Sequence, residues 1–284
     1  MNTKQFGTGA IPSPIDTRDH QWGVVAKGEI PFDWNNGFDV EELYGFQLKT
    51  KDQNGSYSCG GQAWAYYGEA LEYRSDLSYE PRSAKFIYSQ TFVPSGGSNG
   101  RDNCKVVQVQ GWAEEKLCPS YQDGNPPNEA FMTRPQDITQ EARNNARQVQ
   151  ALNYAQVNLN NIDEIAQAIK VNNGVVIGIY GKNNGTWLST FPKADTPHEW
   201  AHWLYAGKAK LINGKKYIGV KNSWGDGVGD HGWQWLSEDF FPSAVFEIWT
   251  VYFKQDVQAM QASIWKRILQ LIADFLSRQL STMK

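Results

Sequence analysis

Gln53-Asn54-Gly55-Ser56-Tyr57-Ser58-Cys59 is the most informative stretch of the chain, because it sets an amide side chain six residues before a cysteine. Beyond the cysteine, apolar residues recur at steps of three and four, namely Ala63, Tyr66, Tyr67, Ala70 and Leu71. That spacing predicts a helix with one buried face. Cys59 therefore belongs to the first turn of a predicted helix.

The position of Cys59 indicates a reactive thiol. Unpaired backbone N–H groups and the positive end of the helix dipole stabilise an anion there, so the thiol should ionise more readily than that of a free cysteine. A thiolate is a competent nucleophile. The alternative is a small, buried and inert residue that begins a helix.

Composition argues against several broad classes of protein. The chain has 284 residues, a net charge of −3 and 20% charged residues, so a general attraction for nucleic acid or acidic membranes is not expected. The N-terminus lacks the apolar core of a signal peptide, and no apolar run approaches the roughly 18 residues of a transmembrane segment. These features leave the cytoplasm as the default expectation without identifying the compartment.

The order of predicted elements indicates an α+β protein. Helices are predicted after Cys59 and over residues 83–90, 102–115 and 162–171, and a buried strand is predicted over residues 174–180. Helical signals followed by strands favour two lobes that meet at a cleft. A helix over residues 106–116 would hold Cys104 and Cys118 apart, so we expect free thiols rather than a disulfide.

Asn213-Gly214 is the strongest hairpin signal in the chain. If these two residues form the loop, facing residues lie symmetrically about them, so Tyr205 faces Asn222 and His202 faces Gly225. This register brings His202 and Asn222 to the same open end of one hairpin.

Four side chains then supply a complete set for nucleophilic acyl transfer. Cys59 would attack a carbonyl, and His202 would hold the thiolate as an ion pair and protonate the leaving amine. Asn222 would orient the imidazole, while Gln53 and the backbone N–H of Cys59 would donate to the oxyanion.

At these residues the chain resembles the papain-like cysteine peptidases, over about residues 30–253. The matching segments follow the family's order: Ile30-Pro31-Phe32-Asp33-Trp34, Lys51-Asp52-Gln53 through Cys59, Gly96-Gly97-Ser98, Asn173-Gly174-Val175-Val176, His202 and Lys221-Asn222-Ser223-Trp224-Gly225. The resemblance implies a helical lobe at about residues 45–150 and an antiparallel sheet or barrel at about 151–254. The type indicated is bacterial or phage, without the usual long inhibitory prosegment.

The resemblance also implies an activity and site residues. The activity is hydrolysis of a peptide or protein through a thioester acyl-enzyme, with no metal or organic cofactor. The oxyanion donor, nucleophile, base and orienting residue would be Gln53, Cys59, His202 and Asn222. Trp224 looks like the ring that shields the histidine–asparagine hydrogen bond, and Gly96-Gly97 is similar to the ledge along which the family lays an extended peptide.

The sequence departs from the family pattern after the nucleophile, where a tryptophan is usual and Gly60-Gly61 stands here. An alternative register pairs Trp64 with that tryptophan and puts Ala63 at the catalytic position, which would make an inactive, peptide-binding relative. The six-residue step from Gln53 favours Cys59 instead.

A competing motif is His198-Glu199-Trp200-Ala201-His202, which has the spacing of zinc metallopeptidases. That chemistry needs both imidazoles on one face of a helix. Pro197 just before the motif and the Asn213-Gly214 turn soon after it favour a strand. We therefore expect the cysteine mechanism.

The two ends of the chain lie outside the domain predicted at residues 30–254. Residues 1–29 read as an extended arm, and one hypothesis is that they cross the cleft. Residues 255–284 carry a broad apolar stripe opposite charged residues, which predicts an amphipathic helix. It would pack on the catalytic domain, with self-association through residues 260–280 or an interfacial membrane contact as the alternatives, although lipid binding would need more basic charge than this segment has.

Overall fold

The computed structural model describes residues 8–26, 31–72, 79–122, 125 and 127–253. Its helices are α1 (Trp22–Val25), α2 (Val40–Tyr44), α3 (Cys59–Glu72), α4 (Ala84–Thr91), α5 (Gly100–Val109), α6 (Glu129–Met132), α7 (Gln140–Ala146), α8 (Ile162–Asn172) and α9 (Phe241–Ala244). Its strands are β1 (Ala10–Ile11), β2 (Phe38–Asp39), β3 (Ser98–Asn99), β4 (Asn153–Gln156), β5 (Val175–Gly181), β6 (Trp200–Ile212), β7 (Lys215–Lys221), β8 (Trp233–Ser237) and β9 (Val245–Tyr252). The tail predicted at residues 255–284 lies outside the described residues.

The larger sheet has the strand order β4-β9-β5-β6-β7-β8, and β2 pairs with β6 beside that path. All of these pairings are antiparallel. Helices α3, α4 and α5 pack together, and α3 and α5 contact the sheet, most of whose strands follow them in sequence. The α+β prediction is confirmed.

Alternation along β6 separates two hydrophobic cores. Trp203 and Tyr205 belong to the core shared with the helices, whereas Leu204 and Ala206 belong to the core on the other face of the sheet. Successive side chains of a strand point to opposite faces, so one strand contributes to both cores. The residues at the start of β6 are thereby fixed between the two cores.

The hairpin at Asn213-Gly214 forms, but its register changes along the strands. Facing residues are symmetric about the turn as far as Lys208 and Gly219, and a β-bulge then shifts the pairing by one residue. Tyr205 therefore faces Lys221, so the predicted pairing of Tyr205 with Asn222 is wrong. A bulge places an extra residue in one strand, a change that an unbroken alternating pattern does not reveal.

The predicted helix over residues 102–115 is too long. α5 begins directly after an asparagine cap at Asn99, whose side chain accepts from the backbone N–H of Asp102, and it ends at Val109. Gly111 follows with φ +86°, and a side chain there would collide with the Ala146 carbonyl. The left-handed turn at a glycine ends the helix.

The cysteines are free, as predicted, although the reasoning from a long helix does not hold. Cys59, Cys104 and Cys118 are all buried. Among the described residues no helix is both long enough and apolar enough to span a bilayer.

Candidate active site

Cys59 is the first residue of α3 and is buried. Its thiol accepts hydrogen bonds from the backbone N–H groups of Trp203 and Gly9. Burial nevertheless outweighs these donors and raises the pKa of the Cys59 thiol to about 12. The prediction of a readily ionised thiol is wrong for this conformation, because the sulfur is excluded from water.

His202 lies near the start of β6, next to the residue that donates to the Cys59 thiol. Its Nε2 is 3.0 Å from Oδ1 of Asn222, and the ring of Trp224 packs over it at a centroid distance of 4.5 Å. Burial lowers the pKa of His202 to about 3, so the imidazole is neutral. Within the described part of the chain, Nδ1 is buried and has no hydrogen-bond partner.

Gln53 is brought to the same place by a short antiparallel contact between two loops. The backbone N–H of Gln53 donates to the carbonyl of Ser223 at 2.8 Å, and that of Gly225 donates to the carbonyl of Lys51 at 3.0 Å. Ser223 Oγ then donates to Gln53 Oε1 at 2.6 Å, and Gln53 Nε2 donates to the carbonyl of Ser56 at 2.8 Å. The amide is therefore held in one orientation beside the loop that carries Asn222.

Gly96 and Gly97 form the turn that leads into β3, both with φ +87°. This conformation favours glycine. A side chain on Gly96 would collide with the ring of Tyr57, and one on Gly97 would collide with the carbonyl of Gly9. Gly97 thus allows another backbone to lie directly against this edge, and Gly96 leaves room for the ring of Tyr57.

The backbone on that edge belongs to the N-terminal arm. β1 pairs with β3 in parallel, with Ala10 opposite Ser98, and the N–H of Ser98 donates to the Gly9 carbonyl at 2.9 Å. Gly9 also donates to the Cys59 thiol. The arm therefore contacts the candidate nucleophile through Gly9, and its position across a substrate cleft stays a prediction.

Three further contacts hold the arm in place. Ser13 Oγ donates to the carboxylate of Glu247 at 2.9 Å, and the N–H of Arg101 donates to Ser13 Oγ at 3.0 Å. The guanidinium of Arg101 makes a two-pronged ion pair with Asp19, whose Oδ1 is 2.9 Å from Nε. A bidentate, largely buried pair of this kind is among the stronger ionic contacts.

The zinc motif does not adopt the conformation that zinc peptidases need. Glu199 lies in the loop before β6, and His202 lies on the strand itself. His198 stacks on Tyr180, and Glu199 accepts from the N–H of Asn183. No group of three or more possible metal-ligating His, Cys, Asp and Glu side chains occurs within the described ranges.

The two glycines after Cys59 have a packing role. A side chain on Gly60 would collide with Ser98 Oγ, and one on Gly61 would collide with the carbonyl of Ala84 in α4. Their absence of side chains lets β3 and α4 approach α3 closely. Ala63, the rival position for the nucleophile, lies one turn further along the helix, in the hydrophobic core.

Several residues at the site were not singled out from the sequence. Ser223 lies inside a matched segment, so its position could have indicated a contact with Gln53. Gly9 lies in a stretch without apolar periodicity or a recognisable motif, so the sequence did not point to a role for it. Gln234 stands between two tryptophans in a strand, where a buried polar side chain needs a partner that the sequence does not identify.

Comparison with solved structures identifies the fold. The structure superposes on xylellain, a cysteine protease from Xylella fastidiosa, with a TM-score of 0.70 and 20% identity, covering 89% of this chain and 98% of that one. The ragweed pollen cysteine protease Amb a 11 in its proform gives a TM-score of 0.63 at 18% identity, covering 81% of this chain and 68% of that one. The bromelain protease from Ananas comosus gives a TM-score of 0.59 at 19% identity, covering 77% of this chain and 99% of that one. The fold is therefore papain-like.

The sequence itself matches no protein-family model and no curated protein.

Proposed function

We propose that this chain is a cysteine peptidase whose cleft is covered by its own N-terminal arm. Cys59 attacks the peptide carbonyl, and His202 takes the thiol proton and delivers it to the leaving amine. Asn222 orients the imidazole, and Gln53 and the Cys59 backbone N–H stabilise the oxyanion. Water then hydrolyses the thioester.

One observation carries the proposal: Cys59 at the start of α3 accepts a hydrogen bond from the residue that directly follows His202, whose Nε2 is bonded to Asn222. The helix start that carries Cys59 therefore lies beside the strand that carries His202, and His202 contacts Asn222, which supports assigning the three side chains to one site. The similar solved structures include cysteine proteases from a bacterium and from plants, which supports the same chemistry here.

The buried state is a resting state. With a thiol pKa near 12 and a histidine pKa near 3, both groups are neutral, and neither can act until water or substrate reaches them. The arm occupies the edge at Gly97 where an extended substrate would pair. Arm displacement is therefore a step that precedes substrate binding.

A library of fluorogenic peptides under reducing conditions tests the proposal. Gly9→Val displaces the arm, because a side chain at this position would collide with the backbone of Tyr57. We expect peptide hydrolysis by the Gly9→Val chain, and complete loss of it when Cys59→Ala is added. Pro12→Ala, at an exposed position of the same arm, is the matched control.

Three results would overturn the proposal. Peptide hydrolysis that survives Cys59→Ala would show that Cys59 is not the nucleophile. Transfer of the acyl group to an added amine, with no hydrolysis in its absence, would identify an acyltransferase. Peptide affinity without turnover in the arm-displaced chain would identify a binding protein.

A further inference from the structure

Gln234 on β8 is fully buried, and each of its polar atoms is engaged. Its Nε2 donates to two backbone carbonyls, those of Trp187 and Ser189, both at 2.9 Å. Its Oε1 accepts from Nδ2 of Asn222 at 2.9 Å. The side chain therefore connects a fixed backbone loop to the carboxamide that contacts His202.

The direction of these hydrogen bonds is fixed by chemistry. A backbone carbonyl can only accept, so the atom of Gln234 that faces Trp187 and Ser189 must be its NH₂ group. Its oxygen must then face Asn222, and a carbonyl oxygen there requires the NH₂ group of Asn222. The remaining Asn222 atom, Oδ1, must face His202.

The same logic assigns the proton on the imidazole. Because Asn222 Oδ1 can only accept, the Nε2 atom of His202 at 3.0 Å carries the hydrogen. In a neutral imidazole the other nitrogen is then bare. Nδ1, which is buried and has no partner among the described residues, is left with a lone pair for a proton.

We infer that Gln234 is a positioning residue: by fixing the Asn222 carboxamide it selects the His202 tautomer that can accept the Cys59 proton. This inference rests on the proposed function for its kinetic consequence only. The backbone N–H of Ser223, which donates to Asn222 Oδ1 at 2.7 Å, acts in the same direction. Ser223 thus fixes the oxygen of the Asn222 carboxamide, and Gln234 fixes its NH₂ group by accepting from Nδ2.

The setting of Gln234 argues that it serves this contact rather than the core. Its neighbours in β8 are Trp233 and Trp235, and a fully buried amide costs free energy unless all its hydrogen bonds are formed. An aliphatic side chain would fill the same space without that requirement. What an aliphatic residue cannot do is accept from Asn222.

The test compares Gln234→Met, which keeps the shape and removes the polar atoms, with Gln234→Glu. Glutamic acid retains an oxygen for Asn222 and, when protonated by burial, an O–H for a backbone carbonyl. The first measurement is the ¹⁵N NMR signature of the His202 ring in the full-length Cys59→Ala chain, assigned by loss of the signal in His202→Gln. We expect Nε2–H alone in the parent and in Gln234→Glu, and a mixture of tautomers in Gln234→Met.

The second measurement is steady-state kinetics in the Gly9→Val chain. General acid–base catalysis is worth about 10²–10⁴-fold, so a partly wrong tautomer should lower kcat at least about tenfold and leave KM nearly unchanged. Gln234→Glu should recover most of that loss. Asn172→Leu is the matched control, because Asn172 is another buried amide, bonded to Thr250 Oγ1 at 2.9 Å and outside this chain of contacts.

A single Nε2–H tautomer in Gln234→Met would overturn the inference whatever the activity. An equal fall in kcat for Gln234→Met and Asn172→Leu would also overturn the inference, because both losses would then come from disturbed packing. The NMR result needs no turnover, so failure of the proposed peptidase activity would be recognised separately.

Discussion

Single residues at the site show how strongly water controls the chemistry. Cys59 and His202 have pKa values moved in opposite directions, and burial is the main cause for both. Each shift favours the neutral form, because a buried charge loses its hydration. The sequence led us to expect the contact between His202 and Asn222, but it could not show that the imidazole and the thiol would both be excluded from water.

The depressed pKa of His202 gives a prediction for stability. Between about pH 3 and 6.5 the unfolded chain binds a proton at this residue and the folded chain does not, so the fold loses stability as pH falls through this range. At pH 5 the loss is about 2 kcal/mol relative to pH 7.5, at 1.36 kcal/mol per unit of pKa shift. Urea unfolding should show this pH dependence in the wild type and its absence in His202→Gln.

Gln53 and Ser223 give a second prediction at this scale. If Gln53 donates to the oxyanion, Gln53→Ala in the Gly9→Val chain should lower kcat by about 10²–10³-fold. Ser223→Ala removes only the hydroxyl that donates to Gln53 Oε1 at 2.6 Å, so it should lower kcat less than Gln53→Ala does. Steady-state kinetics of both variants checks this order, and a larger loss in Ser223→Ala would contradict the assignment.

At the level of elements, close packing around α3 depends on glycine. Gly61→Ala would push a methyl group into the carbonyl of Ala84, which is backbone and cannot rotate away. We expect Gly61→Ala to lower the free energy of unfolding by about 1–3 kcal/mol through overpacking. Gly227→Ala meets open space and should be nearly neutral, so urea unfolding of the two variants separates packing from a general glycine effect.

The elements also show where sequence reasoning succeeds. Helices α3 and α8 and the Asn213-Gly214 hairpin were predictable, because each is encoded by local periodicity or a local turn preference. The β-bulge near Gly207 and the early end of α5 were not, because they depend on neighbours distant in sequence. His202 and Asn222 still meet, since a shift of one residue leaves both at the open end of the hairpin.

At the scale of the whole molecule, the arm joins parts of the chain that are far apart in sequence. Ser13 bonds Glu247, Asp19 bonds Arg101, and Gly9 reaches the edge at Ser98. None of these contacts has a periodic or motif signal, so the arm could be proposed from the sequence but its docking could not be derived. Its parallel pairing with β3 makes the arm an additional strand on the cleft edge.

Removal of the arm gives the last prediction. Deletion of residues 1–13 takes away Gly9 and the Ser13 contact with Glu247 but leaves Trp22, which belongs to the core. Water should then reach Cys59, lower the pKa of its thiol and raise that of His202, and allow the pair to ionise.

The rate of alkylation of Cys59 by iodoacetamide at pH 7 should therefore rise at least about tenfold, because one pKa unit changes the thiolate fraction tenfold. Deletion of residues 1–7 removes none of these contacts and is the matched control. Equal rates in the two truncated chains would show that the arm does not govern access to the sulfur. A large rise in the longer deletion alone would make arm displacement the step that converts a neutral thiol and imidazole into a reactive pair.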